Sequence, residues 1–286
     1  MTHSRKYFRK FGLFLITIPI LLFIFLPIFW LVASSFSNQV ELVATPPHWI
    51  PQNPTLKNYL DIFNPSQASS AVPRTYAVSL LNSMKVATSV TLICLVIGGL
   101  AAYALVRIPF KLKNPILIGI LGTRMIPEVS LVIPLYIIAS RLQMINKPPV
   151  LIITYLSFAL PYAIWMLASF FQTIPVELEE AARLDGCSRL AILFKIILPI
   201  STPGLVSTAL FVFLLAWDEF FYALIFTSTL AAKTVPVAIS EFIGRFSSNA
   251  TGMMAGGVLA AIPPVLLALI FQRYIVSGLT SGAVKG

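Results

Sequence analysis

Between Lys10 and Glu41 the chain carries no charged side chain. That run alone exceeds the roughly 20 apolar residues needed for one helical crossing of a bilayer. The pattern recurs. Further apolar stretches cover about 76–106, with Lys85 near its start, and 115–140, which contains Arg124 and Glu128. Others cover 149–172, uncharged; 203–230, carrying Asp218 and Glu219; and 253–276, reaching Arg273 near its end. With 11–36 these make six spans. Lipid offers backbone N–H and C=O groups no partner, so each span must satisfy its own as a helix. The expected fold is an all-α membrane protein with both termini on one side. Composition agrees: 58% of the residues are hydrophobic, 10% are charged and the mean hydropathy is +0.90. A soluble domain carries about 25% charged residues, so an ordinary water-soluble enzyme is excluded.

The formal charge of +10 does not indicate a nucleic-acid partner, because the basic residues sit between apolar runs and not along one face. Their distribution sets an orientation instead. Arg5, Lys6, Arg9, Lys10, Arg107, Lys111, Lys113, Arg183, Arg189, Lys195, Arg273 and Lys285 fall on one side of the six spans. The smaller set of Lys57, Arg74, Arg141, Lys147, Lys233 and Arg245 falls on the other. The richer side, with the N-terminus 1–10 and the tail 277–286, is expected to be cytoplasmic. The first run is also longer than the 7–15 residues of a signal-peptide core, so it reads as an uncleaved helix.

Several chemistries find no support. No G-x-x-x-x-G-K-[ST] phosphate loop, no G-x-S-x-G elbow and no H-E-x-x-H pair occurs. His3 and His48 are far apart, outside any metal-ligand spacing. Cys94 and Cys187 cannot form a disulfide framework. The outward connection 37–75 contains Pro46, Pro47, Pro51, Pro54 and Pro65, which argue against one long helix there. It reads either as a solvated connection or as a receptor-facing loop.

The most informative segment is 174–202. Pro175 suits a first helical turn, and Glu177, Glu179 and Glu180 fall near that helix's positive end. Gly186 after Asp185 reads as a left-handed terminator, and Ser188 as the cap of a second helix. There Leu190, Leu193, Phe194, Ile197 and Leu198 recur on one apolar face until Pro199 and Pro203 end it. Pattern alone leaves open a connector packed on its own bundle or a docking element for another protein.

Glu180, Ala181 and Ala182, then Asp185 and Gly186, then Ile196, Leu198 and Pro199 resemble the EAA motif of ABC-importer permeases. Trp217-Asp218-Glu219-Phe220 resembles the W-N-E-F of sugar-importer permeases, with Asp218 where Asn is usual. Gln272-Arg273-Tyr274 followed by Gly278-Leu279-Thr280 and Gly282 to Gly286 resembles the tail of MalG-type permeases. Asn82-Ser83 and Arg124-Met125-Ile126-Pro127 also fit. The resemblance covers nearly the whole chain and identifies it as a member of the carbohydrate-importer permeases, with a type I importer fold. It implies a MalF-like second permease subunit, a dimer of ABC ATPase subunits that bind ATP and Mg, and an extracytoplasmic solute-binding protein. It also implies a bacterial or archaeal inner membrane. Sugars, polyols or sugar derivatives would be the solutes, and this chain would hold no cofactor and perform no catalysis. The segment Glu180 to Gly186 would seat in an ATPase cleft, with Glu180 facing a basic residue there, and the tail from Ser277 would make a second contact.

Charges at bilayer depth face a cavity or a partner. Arg124 and Glu128 stand at i, i+4, suited either to an ion pair at a helix interface or to a lining of the translocation path, and Pro127 and Pro134 are expected to bend that span. Asp218 and Glu219 are expected to stabilise a gate, because neighbouring helical residues point in different directions and cannot both face one solute. Gly252 with Gly256, and Gly98 with Ala102, are expected to permit close helix approach. A self-sufficient transporter using Arg124, Glu128, Asp218 and Glu219 as an ion relay is the competing class. It would show inverted repeats, and none is visible.

Overall fold

The structure, a computed structural model, describes residues 3–46, 48–64, 73–243 and 249–281. Pro47, Pro65, Arg245 and Gly282 to Gly286 lie outside the described residues, as do the side chains of Arg5, Lys6, Arg9, Lys10, Arg74 and 275–281. The sequence-based reading of the tail as a second contact therefore falls outside them. In chain order the helices are α1 (His3–Ser35), α2 (Gln39–Leu42), α3 (Lys57–Phe63), α4 (Pro73–Arg107), α5 (Lys113–Gly122), α6 (Glu128–Arg141) and α7 (Pro148–Gln172). They continue with α8 (Glu177–Leu184), α9 (Arg189–Ile192), α10 (Leu198–Ile200), α11 (Thr202–Trp217), α12 (Phe221–Phe226), α13 (Val235–Ser240) and α14 (Ala250–Ser281).

Four helices among the described residues are long and apolar enough to cross a membrane: Leu15–Ser35, Tyr76–Arg107, Pro148–Gln172 and Ala250–Tyr274. Two bent pairs raise the number to as many as six. The stretch 115–140 is one of them, and the bend expected there is a sharp break. α5 runs through a short 3₁₀ turn at Thr123–Met125, then breaks before α6 with a bend of 91°. The cause is local: the ring of Pro127 disfavours helical geometry at the residue before it, and Ile126 is extended at ψ 123°. The second bent pair, Arg189–Ile200 and Thr202–Trp217, turns by 80° at Ser201 between the two prolines expected to end the helix. The stretch 203–230 is not one continuous helix: α11 stops at Trp217, and only the short α12 follows.

The chain forms two compact units, Met1–Ala77 with Ile239–Ile262 and Val78–Ala238 with Pro263–Gly286. In the first, the apolar window of α1 buries nothing inside the protein, and Phe23 and Phe25 are exposed. Such a surface suits lipid, where no water penalises it. At its end Asn58 donates to the carbonyls of Ser35 and Ser37 at 2.8 and 3.0 Å, satisfying groups that the finished helix leaves open. Gly256 lets the Tyr76 ring approach, since a Cβ there would stand 3.1 Å from it, and the Tyr76 hydroxyl donates to the Gly256 carbonyl.

In the second unit α7 is the central element, burying Leu151, Tyr155, Phe158, Ala159, Ala163, Leu167 and Phe171. α11 packs on it through Gly204, where a Cβ would intrude on the Phe170 ring, and Gly98 of α4 lies against Ala163, 3.4 Å from its own absent Cβ. A cluster of Ala102, Tyr103, Leu167, Phe171, Ala182, Ile192, Leu193 and Ile197 closes the end where α8 and α9 attach.

Candidate functional sites: the Glu180 helix and a charged cavity

α8 begins at Glu177 and keeps its three carboxylates in or beside the first turn, where the partial positive charge of the helix end favours them. It ends as the residues dictate. Gly186 takes φ +81°, a left-handed conformation open to glycine, and the N–H groups of Gly186 and Cys187 bond back to the Arg183 and Ala182 carbonyls at 3.0 Å each. Ser188 then caps α9 through its Oγ, which accepts from the Ala191 N–H at 3.2 Å. The expected second helix is not uniform: Leu193–Ile197 form a π-helical turn between α9 and α10. This turn splits the expected apolar face. Ile192, Leu193 and Ile197 are buried, whereas Leu190 and Phe194 are exposed.

The α8 surface has two characters. Glu179 and Ala182 face inward, while Glu180, Ala181 and Asp185 are exposed and Leu184 is 90% exposed. Pro199 sits in α10, beside the 80° bend. Glu179 was not separable from Glu177 and Glu180 by spacing, yet it is the carboxylate that the interior engages. Arg107 Nε stands 2.5 Å from Glu179 Oε1, and the Tyr103 hydroxyl donates to Oε2 at 3.1 Å.

Arg124, Glu128, Asp218 and Glu219, the four charged candidates of the membrane segments, all line one cavity of about 560 Å³. Phe158, Phe211, Phe220 and Phe221 supply aromatic walls. The charges reach it from chain breaks. Arg124 and Glu128 flank the α5–α6 interruption, and Asp218 and Glu219 lie between α11 and α12. Two expectations are corrected here. Arg124 and Glu128 do not form the i, i+4 ion pair, because the break at Pro127 removes the helical register that would join them. Arg124 instead donates to the Phe158 carbonyl at 3.1 Å and lies 5.9 Å from that ring's centroid. Asp218 and Glu219 are not helical neighbours pointing apart, and both reach the same cavity. Glu219 also accepts from the N–H groups of Tyr222 and Ala223 at 2.7 and 3.1 Å, which caps α12 and explains its restart after the break.

On the far side of α12, Asn82 donates to the carbonyls of Leu230 and Lys233 at 3.1 Å each, and Ser83 Oγ accepts from the Val235 N–H at 2.8 Å. Asn146, with φ +61°, accepts at Oδ1 from the N–H groups of Ser228 and Thr229 at 2.5 and 3.1 Å. Sequence reasoning missed Asn146; its only signal was a residue tolerant of left-handed geometry.

Residues 94–281 match the family described as "Binding-protein-dependent transport system inner membrane component". The chain belongs to this family. It is therefore a multi-pass permease component of an ABC importer and not an enzyme; a separate subunit hydrolyses ATP. It is 41% identical over 261 residues, 91% of each chain, to the trehalose/maltose transport system permease protein MalG of Thermococcus litoralis. It is 38% identical to the sulfoquinovosyl glycerol transport system permease protein SmoH of Agrobacterium fabrum, over 91% of this chain and 88% of that one. A bacterial ABC transporter chain involved in import of the acidic polysaccharide alginate shares the fold. Its TM-score is 0.78 at 19% identity, over 96% of this chain and 98% of that chain.

Proposed function

We propose that this chain is one of two permease subunits of a sugar or sugar-derivative importer, working with a MalF-like partner, an ATPase dimer and an extracytoplasmic binding protein. Both termini are cytoplasmic in this reading, in a bacterial or archaeal inner membrane, and α8 is the contact with the ATPase. The observation that carries the contact is the divided surface of α8. Its inner face is fastened to the bundle, while Glu180, Ala181, Asp185 and the almost fully exposed Leu184 stay outside. A connector packed on its own bundle would show water a polar outer face; the exposed leucine among these residues suits cover by a partner. The charged cavity forms part of the translocation path: carboxylates and a guanidinium accept and donate hydrogen bonds to hydroxyls, and the phenylalanine faces meet the apolar side of a sugar ring. The names of the relatives favour carbohydrate solutes.

Cross-linking tests the docking face. In a Cys187→Ser background, Leu184→Cys carrying a short thiol-reactive cross-linker is expected to capture the ATPase subunit in the complex purified from native membranes. A chain that assembles normally but captures no ATPase from this position overturns the assignment.

A further inference from the structure

Glu179 and Glu180 are adjacent, yet Glu180 is exposed and Glu179 is 1% exposed. Only the outer carboxylate is open to a docking partner. The inner one meets Arg107 at 2.5 Å, the Tyr103 hydroxyl at 3.1 Å and, more loosely, Arg183 of its own helix at 3.8 Å. Arg107 is shared further: its Nη2 donates to the carbonyls of Phe171 at 3.0 Å and Ile174 at 2.7 Å. Those carbonyls belong to the last turn of α7 and the link that follows, where the helical ladder leaves acceptors open and a cation is favoured. One guanidinium thus holds the end of α4, the end of α7 and the inner face of α8. Only the planar fork of arginine serves several acceptors in fixed directions; lysine offers a point charge on a flexible stem.

A buried ion pair is a weak device for stability, since well-packed apolar residues often do as well. It does supply a connection with fixed geometry. We propose that Arg107 and Glu179 are positioning residues that make α8 move as one body with the ends of α4 and α7. A displacement imposed on the outer face of α8 is then delivered to two membrane helices instead of being absorbed by bending in the link from Thr173 to Val176. This rests on the reading of α8 as the ATPase contact.

The test uses the whole complex in proteoliposomes, with two readouts for each variant: cross-linking of the ATPase at Leu184→Cys, and solute taken up per ATP hydrolysed. Glu179→Gln and Arg107→Lys are expected to keep the cross-link while uptake per ATP falls about tenfold, the equivalent of one hydrogen bond to a charged group. Tyr103→Phe, which removes a single bond, is expected to give a smaller fall and decides the matter if the charged variants fail to assemble. A retained cross-link with unchanged uptake per ATP overturns the proposal and leaves the docking face standing. Loss of the cross-link already in the otherwise unaltered chain overturns the docking assignment, and this proposal with it.

Discussion

Replacing Arg107 by methionine keeps most of the stem volume and deletes the charge. Glu179, 1% exposed at its side chain, then stays buried with only the Tyr103 hydroxyl and the distant Arg183 to meet it. Breaking a buried pair from one side costs about 3–5 kcal/mol. The carbonyls of Phe171 and Ile174 lose a charged donor as well, worth about 1.5–3 kcal/mol for a bond of that kind. Arg107→Met is therefore expected to lower the thermal midpoint in detergent by roughly 10–30 °C, taking about 2–4 °C per kcal/mol. The decisive species is Arg107→Met with Glu179→Leu. With both charges gone, the uncompensated carboxylate disappears and the double variant is expected to recover about 3 kcal/mol relative to Arg107→Met. The loss at the two carbonyls remains, so recovery is partial. Midpoints of all four species, measured by intrinsic fluorescence at one scan rate, form a double-mutant cycle. Additive losses, or an Arg107→Met midpoint equal to the parent's, would refute the claim that this guanidinium is held by Glu179.

Three further outcomes are expected. Gly186→Ala meets nothing within 4 Å, so its cost is purely conformational, about 1–2 kcal/mol for the positive φ; Gly186→Asn is expected to cost less, and thermal midpoints compare the two. Glu128→Gln is expected to change stability by less than about 0.5 kcal/mol, because the exposed side chain lines a cavity and the change breaks no ion pair, whereas Arg124→Ala is expected to reduce solute uptake with assembly intact; a large destabilisation by Glu128→Gln would reinstate the ion pair. Gly204→Ala places a Cβ 2.6 and 2.7 Å from the Phe170 ring carbons Cδ2 and Cδ1, an overpacking worth about 1–3 kcal/mol, read as lower yield of folded chain by size-exclusion chromatography.

Four of the apolar helices, the ends of α8 and the turn at Gly186 were legible because each depends on residues within a few positions. An uncharged run cannot remain in water, glycine takes positive φ without strain, and a serine oxygen reaches the amides just beyond it. Pro127 is legible as a bend, but the sequence does not show how completely it breaks the helix. A spacing of i, i+4 between Arg124 and Glu128 implies contact only if the helix continues between them, and it does not. In the same way, the apolar pattern extends a helix through Asp218 and Glu219 that in fact ends at Trp217. Glu219 is what restarts the helix, by capping α12.

What the sequence by itself determined is therefore the class: an all-helical membrane permease with a short acidic helix and a glycine turn between its fourth and fifth apolar stretches. Tertiary structure alone decided which of two adjacent carboxylates turns inward, because that choice depends on Arg107 and Tyr103, far away along the chain. It also decided that four charges from two separate chain breaks share one cavity. Local preferences act between neighbours and leave a mark in any short window of residues. The partners of a buried charge are chosen by packing, which brings together residues whose spacing carries no such mark.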